Sequence, residues 1–254
     1  MLLLIDIGNT RIKFALSDGH TLQQHGAIEH KNAWDESIRK IFTEITLPIE
    51  ACYVASVMAE QDNQFIEELI STCSRISPNL LKTQRFQCGL ENAYSNPENM
   101  GIDRWLAMIA AWQQSQQAVL LIGCGSALTL DLVDIQGRHQ GGYIIPGIRM
   151  MQHALDRQTA LIEVDVGVEE SLMPDWQWGR STQQCVSAGS LLATVSVIDR
   201  AIINAEIEYP EGVSCFIYGG DAPRVQSYLR QTVSHEPDLV FLGMLSIYAE
   251  LKGC

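Results

Sequence analysis

The first thirteen residues restrict the fold more than any other part of the chain. Leu2 to Ile5 form a short, continuous aliphatic run, which is typical of a buried strand. The run ends at Asp6, and Gly8 and Asn9 follow as residues that tolerate a tight turn before a second, alternating strand begins. The segment therefore predicts a β-hairpin with a carboxylate beside its turn.

This hairpin has two interpretations. A turn of small residues lets backbone N–H groups approach an anion, and here Thr10 adds a hydroxyl while Arg11 and Lys13 add positive charge. Because Asp6 is placed to hold a divalent metal or a water on that metal, the segment would suit a nucleoside triphosphate. In the other interpretation Asp6 only hydrogen-bonds the turn, and these residues alone do not separate the two.

The second half of the chain repeats this arrangement without close sequence identity. An aliphatic run over 118–122 leads into a glycine-rich turn that carries the hydroxyl of Ser126, and alternating strands follow over 128–134 and 140–145. A comparable third strand is predicted over 22–28 in the first half. The repeat predicts two similar three-stranded units, although two unrelated hairpins would give the same pattern.

Elsewhere, strand patterns alternate with amphipathic helices, which predicts an α/β fold with mixed sheets. We expect two lobes, residues 1–117 and 118–254, that face a shared cleft in which each turn holds one phosphate of the nucleotide. Further strands are predicted over 51–58, 80–86 and 213–218. Helices are predicted over 34–45 with Asn32 as its cap, around 65–70, and over 239–251. Three more helices are predicted to begin near Ile102, near Ile148, and after a cap that is either Ser181 or Thr182.

A carboxylate and a guanidinium stand together at the start of the helix that begins at Ile102. Asp103 there is compatible with the helix dipole, which stabilises an anion at this end. The functional interpretation makes Asp103 a base that accepts a proton from a substrate hydroxyl, with Arg104 binding an anionic group. The structural alternative is a helix-starting acid followed by a surface arginine.

Composition and charge exclude some classes of protein. A formal net charge of −13 argues against a nucleic-acid partner, because no basic excess is available to neutralise phosphates. Seven cysteines without a C-x-x-C pair indicate reduced thiols and a cytoplasmic location. We expect no signal peptide and no membrane contact, since no apolar run approaches the roughly 20 residues of a membrane span.

Four short motifs, taken in order and spacing over nearly the whole chain, resemble those of the type III pantothenate kinases. That family has the fold of acetate kinase, sugar kinases, Hsp70 and actin, which is two ribonuclease-H-like lobes around a cleft. The matching segments are Asp6 to Thr10 for D-x-G-N-T, Tyr94 to Pro97 with Gly101 to Arg104 for Y-x-N-P and G-x-D-R, Gly142 to Gly147 for G-G-x-I-x-P-G with Gly141 before it, and Gly179 to Thr182 for G-R-S-T.

The resemblance implies phosphorylation of pantothenate at its primary hydroxyl by ATP and Mg²⁺, the first committed step toward coenzyme A. It also implies a homodimer with the substrate pocket near the subunit interface, and Asp103 as the proton acceptor. The implied ATP-binding residues are Asp6, Ile7, Gly8, Asn9, Thr10, Arg11, Ile12, Lys13 and Ser126. The implied pantothenate-binding residues are Tyr94, Gly101, Ile102, Asp103, Arg104 and Thr182.

One position departs from the family pattern D-x-G-T-A-x-T-x-D. Its first acid, which in the family binds a monovalent cation such as K⁺ or NH₄⁺, is replaced here by Gly123. We therefore expect weak dependence on potassium, unless other groups bind the cation. Ser126 keeps the hydroxyl of the family's threonine, and Asp131 and Asp6 are the candidate metal ligands.

Two other functions stay open at this point. Relatives described as accessory factors for transcription suggest a non-catalytic regulator, and the missing acid at position 123 is the kind of loss that inactive enzymes show. The second is a sugar or carboxylate kinase of the same fold. The retained acids Asp6, Asp103 and Asp131 favour an active kinase, and the resemblance of the tyrosine and G-x-D-R segments favours pantothenate.

Overall fold

Two mixed sheets, one in each of two units, carry the helices of this protein. The computed structural model describes residues 1–30, 33–115, 117–158, 162–165 and 178–253. The first unit comprises Met1–Gln114 together with Asp238–Cys254, and the second comprises Ser115–Pro237. The lobe expected over 118–254 therefore differs at its end, because the last helix packs within the first unit.

The strands, in chain order, are β1 (Leu2–Ile7), β2 (Arg11–Ser17), β3 (Leu22–Glu29), β4 (Ala51–Ser56), β5 (Asn79–Leu80), β6 (Phe86–Gln87), β7 (Leu90–Glu91), β8 (Ala118–Cys124), β9 (Ala127–Val133), β10 (His139–Pro146), β11 (Val213–Tyr218) and β12 (Ser234–His235). The α-helices are α1 (Trp34–Glu44), α2 (Glu60–Ser74), α3 (Ile102–Gln114), α4 (Ile148–Gln158), α5 (Thr182–Glu208), α6 (Ala222–Gln226) and α7 (Leu239–Lys252).

The two large sheets have the same topology. The strand order is β3-β2-β1-β4-β5 in the first unit and β10-β9-β8-β11-β12 in the second. In each sheet the first three strands form antiparallel hairpins, while the last two are parallel to the central strand and need crossover connections. The predicted α/β fold with two mixed sheets is confirmed, and the opening hairpin does recur in the second half.

Strand β1 is buried on both faces, which explains its continuous aliphatic sequence. Leu3 and Ile5 pack in one core with side chains from α1 and α2, including Ile38 and Ile66. Leu4 points to the other face and is also fully buried, and α7 contacts β1. Because alternate residues of a strand point to opposite faces, a strand between two layers must be apolar at every position until the sheet ends.

Helix α7 packs so closely against α3 that the backbones of the two helices are in contact. A Cβ atom on Gly243 would meet the carbonyl oxygen of Leu106, so only glycine allows this approach. The apolar face of α7, which includes Phe241 and Met244, is buried in this contact region. The extensive packing between these two helices is the physical reason that residues 238–254 belong to the first unit.

Helix α5 is the core helix of the second unit. Its inward residues, among them Leu191, Val195 and Ile198, pack against the sheet side chains Ile122 and Leu130. Among the described residues, it is also the one helix long and apolar enough to cross a membrane by length and composition alone. Its apolar residues do not form one continuous run, because serine, threonine, aspartate and arginine interrupt them, and the packing of its inward face accounts for many of them.

Several predicted details differ in the structure. The strand predicted over 80–86 is absent as one element, because the chain leaves the sheet after β5 and the Thr83 hydroxyl donates to the carbonyl of Met100 at 3.0 Å. Ser181, not Thr182, caps α5, and its hydroxyl accepts from the backbone N–H of Gln184 at 3.2 Å. The predicted cap Asn32 lies outside the described residues.

Candidate functional site

Asp6 is the last residue but one of β1 and lies opposite Lys13 of β2. Its side chain has lost nearly all contact with water, and this burial raises the pKa of the carboxyl to about 7. Lys13 acts in the opposite direction, and the charge of Asp103 raises the pKa further. A desolvated carboxylate near a second acid is unstable without a cation, so this position is chemically suited to a divalent metal.

The turn that follows Asp6 is closed by backbone bonds and by a histidine that the sequence did not point to. The N–H of Gly8 donates to the carbonyl of Arg11 at 3.0 Å, and no residue of the turn from 8 to 10 has a positive φ. His30 is buried, stacks on Trp34 and places its Nε2 atom 3.0 Å from the Gly8 carbonyl. Because a carbonyl oxygen only accepts, this ring must carry a proton on Nε2.

The predicted ATP-binding residues of the first hairpin fall into three groups. The side chains of Ile7 and Ile12 are fully buried in the core, so only their backbone groups are available to a ligand. Arg11 forms a cross-strand ion pair with Glu29, with Nη2 and Oε1 3.0 Å apart. Asn9 and Thr10 are exposed at the tip of the hairpin, together with the backbone of the turn.

Asp103 lies in the first turn of α3, in the same unit as Asp6. Its carboxylate folds back over Gly101, because a Cβ atom at position 101 would be 2.6 Å from Asp103 Oδ1. The two acids are close enough for Asp103 to influence the pKa of Asp6. The structure therefore brings together two acids that are nearly a hundred residues apart in the sequence.

Arg104 is a buried arginine, and the alternative of a surface arginine is wrong. The residue is only 5% exposed, and its Nη1 donates to the hydroxyl oxygen of Tyr94 at 3.2 Å. The guanidinium carbon also lies 5.9 Å from the centre of the Tyr94 ring. A buried guanidinium held by an aromatic hydroxyl is suited to binding a planar anion such as a carboxylate.

The other predicted binding residues lie in the second unit. Ser126 is exposed at the β8–β9 turn, and its carbonyl accepts from the N–H of Gly147 at 3.0 Å. Thr182 is exposed as the first residue of α5. Asp131 is completely buried, and its Oδ1 is 3.1 Å from Nε2 of the equally buried His139. Among the residues that the structure describes, no cluster of three or more acidic, histidine or cysteine side chains forms a metal site.

Comparison with known proteins identifies the family. Residues 2–204 match the family model described as type III pantothenate kinase. The type III pantothenate kinase of Nitrosococcus oceani is 36% identical, over 97% of this chain and 93% of that protein. That of Alcanivorax borkumensis is 31% identical, over 98% and 99% respectively. This chain belongs to the type III pantothenate kinase family.

Solved structures with the same fold are more distant. A Campylobacter jejuni protein, provisionally described as a Baf family transcriptional activator, aligns over 99% of this chain and all of its own, with a TM-score of 0.61 and 18% identity. A Sinorhizobium meliloti protein, provisionally described as a 2-dehydro-3-deoxygalactonokinase, gives a TM-score of 0.59 at 11% identity, over 99% of each chain. At these identities the similarity concerns the fold alone.

Within the type III pantothenate kinase family, this chain departs at position 123, and the structure shows what fills the space. A Cβ atom on Gly123 would lie 2.5 Å from the hydroxyl of Thr129 and 3.0 Å from the ring of Tyr218. The site therefore lacks both the carboxylate of the family motif and the room for one. Position 123 therefore supplies no carboxylate to a cation, and a larger side chain there would need Thr129 and Tyr218 to move.

Proposed function

We propose that this chain transfers the γ-phosphoryl group of ATP to the primary hydroxyl of pantothenate, the first step of coenzyme A synthesis. The observation that carries the proposal is that one unit holds the buried carboxyl of Asp6 and, at the start of α3, the carboxylate of Asp103 folded back over Gly101. Asp103 stands directly before the buried Arg104 in that helix. Family membership supplies the identity of the substrate.

In this proposal, Asp103 accepts the proton of the attacking hydroxyl as the new bond to the γ-phosphorus forms and the bond to the leaving ADP breaks. Arg104 binds the carboxylate of pantothenate, with Tyr94, Gly101 and Ile102 as further contacts in the same unit. Thr182 is the other residue that the family resemblance assigns to this substrate. Phosphoryl transfer depends mainly on alignment and charge neutralisation, so positioning is the chief task of these side chains.

The nucleotide phosphates are assigned to residues 6–13, and Ser126 is a further nucleotide contact that the family resemblance implies. Backbone N–H groups of the first turn, the hydroxyl of Thr10 and the positive charges of Arg11 and Lys13 face the phosphates. Asp6 is the residue that would hold Mg²⁺, and Asp131 is a weaker candidate because it is already engaged by His139. Mg²⁺ supplies neutralisation of charge on the phosphate oxygens.

We further propose a cytoplasmic homodimer that needs no monovalent cation at position 123. The dimer is consistent with exposed apolar side chains along α5, namely Leu192, Ile203 and Ile207. Light scattering during size-exclusion chromatography tests the dimer. A monomeric mass at the concentration of the kinetic assay would contradict it.

The decisive experiment incubates purified protein with ATP, Mg²⁺ and one of three acceptors: pantothenate, acetate or a hexose. ADP release is followed by a coupled assay, and the phosphorylated product is identified by mass spectrometry. We expect phosphate on pantothenate alone. Transfer to acetate or the hexose would identify a different kinase of this fold, and no transfer to any of the three would contradict the proposal.

A further inference from the structure

An arginine outside every predicted motif holds the loop that carries Tyr94. Arg85 immediately precedes β6, and its Nη1 donates to the carbonyl oxygen of Asn92 at 2.7 Å. Its Nη2 donates to the carbonyl oxygen of Ser95 at 2.9 Å. The backbone N–H of Asn92 in turn donates to the carbonyl of Arg85 at 2.9 Å. One guanidinium thus spans the loop on both sides of Tyr94.

Asn92 connects this loop to the start of the G-x-D-R segment. Asn92 is only 1% exposed, and its Oδ1 accepts from the backbone N–H of Tyr94 at 2.9 Å. Its Nδ2 donates to the sulfur of Met100 at 3.4 Å, and the carbonyl of Met100 accepts from the Thr83 hydroxyl. Met100 directly precedes Gly101, so the side chain of Asn92 fixes the spacing between the two motifs.

The contact that depends on this spacing is the one between Tyr94 and Arg104. The 3.2 Å bond from the Arg104 guanidinium to the Tyr94 hydroxyl joins the loop to α3, in whose first turn Ile102, Arg104 and Trp105 are buried. Between them the chain makes only a short 3₁₀ turn over Pro97–Asn99 with no buried residue. Without bonds of its own to the rest of the unit, such an exposed segment would not hold an aromatic hydroxyl at one position.

We propose that Arg85 and Asn92 are positioning residues for the acceptor pocket. They touch neither reacting atom; they fix the backbone of Tyr94, and through the Tyr94 hydroxyl they orient the Arg104 guanidinium toward the carboxylate of the acceptor. The inference rests on the proposed function for the identity of that acceptor. A planar fork that reaches two carbonyls is specific to arginine, since the ammonium of lysine is a single point charge.

The kinetic test compares Arg85→Met, Arg85→Lys and the control Lys82→Met, which removes a positive charge from an exposed position three residues away. Arg85→Met keeps the apolar stem of this half-buried side chain. We expect its KM for pantothenate to rise about 10- to 100-fold, the scale of losing one hydrogen bond to a charged group, with a smaller change in kcat. We expect the KM for ATP and the melting temperature of Arg85→Met to stay close to those of Lys82→Met. The KM for pantothenate of Arg85→Lys should lie between those of the wild type and Arg85→Met.

A second measurement separates the failure of this inference from that of the proposed function. Amide hydrogen exchange of Tyr94, followed by NMR, reports the bond to Asn92 Oδ1 without any catalysis. We expect faster exchange in Arg85→Met and no change in Lys82→Met. Unchanged exchange would overturn the bracing of the loop. Faster exchange with an unchanged KM for pantothenate would overturn the role of Arg85 in the acceptor pocket. A wild-type protein that is inactive on pantothenate would refute the proposed function. In that case the exchange rate of the Tyr94 amide would still show whether Arg85 holds the loop.

Discussion

Individual side chains show most clearly how this chain departs from what its local sequence favours. Asp6 is an acid in a run of aliphatic residues, and Arg104 is a guanidinium with almost no exposure to water. Burial costs each of these groups its hydration, and that cost must be offset by other interactions. Both residues are understandable as binding groups for charged ligands.

Asp103→Asn tests the proposed base. The amide keeps the shape of the carboxylate but does not accept a proton, so we expect kcat to fall about 10²- to 10⁴-fold, the range for a positioned general base. Asp62→Asn is a matched control, because Asp62 occupies the first turn of α2 as Asp103 occupies that of α3. Near-normal turnover of Asp103→Asn in steady-state assays would remove Asp103 from this role.

Asp6→Asn tests the desolvation of the carboxylate through the pH dependence of stability. Folding raises the pKa of Asp6 from 3.8 to about 7, so the folded protein loses stability from this group as the pH rises from 4 through 7. The uncharged amide avoids that loss. From pH 5 to pH 8 the free energy of unfolding of the variant should gain about 2–3 kcal/mol relative to the wild type. Urea denaturation without nucleotide measures it, and a difference independent of pH would contradict the shift.

At the scale of helices and strands, the hairpins were predictable because their turn residues and apolar runs are local signals. The G-x-D-R helix was equally visible from its periodicity. The strand expected over 80–86 was wrong, since a bond from Thr83 to Met100, which is distant in sequence, draws the chain away from the sheet. The sequence also contained no signal for His30, Arg85 and Asn92. Each of them contacts a backbone group of another residue, and such a contact leaves no motif in the sequence.

The same substitution, glycine to alanine, should have opposite effects on stability at two helical positions, because only one of them lies where α7 crosses α3. Gly243→Ala should lower the free energy of unfolding by about 1–3 kcal/mol or more, because the added methyl meets the α3 backbone. Gly189→Ala, in α5 with open space around it, should raise it by about 0.5–1 kcal/mol through helix propensity. Thermal denaturation of the two variants gives the signs, and a stabilised Gly243→Ala would show that the helices do not approach this closely.

The β8–β9 hairpin predicts weak selectivity among monovalent cations. Thr129 and Tyr218 occupy the space that a carboxylate at position 123 would need, so the carboxylate of the family motif is not available to potassium there. We expect nearly equal turnover in KCl and NaCl at matched ionic strength, and the same melting temperature in both salts. A steep requirement for potassium would mean that another group supplies the site.

The whole molecule carries a formal net charge of −13, which bears on the rival function in transcription. Long-range repulsion between an acidic protein and a polyanion opposes their association, and the chain has no net basic excess to neutralise phosphates. Fluorescence polarisation of a labelled DNA duplex should show no binding at micromolar protein, with a basic DNA-binding protein as positive control. A complex that weakens steeply with added salt would restore the regulatory interpretation.

The return of α7 to the first unit has a consequence for the order of events on the ribosome. Residues 115–237 form a continuous segment and can fold once they have left the exit tunnel. The first unit lacks α7 until residues 239–252 have been synthesised, so the faces of β1 and α3 that α7 covers stay uncovered while the second unit is made. A chain truncated before α7 would therefore expose these apolar faces and depend on chaperones.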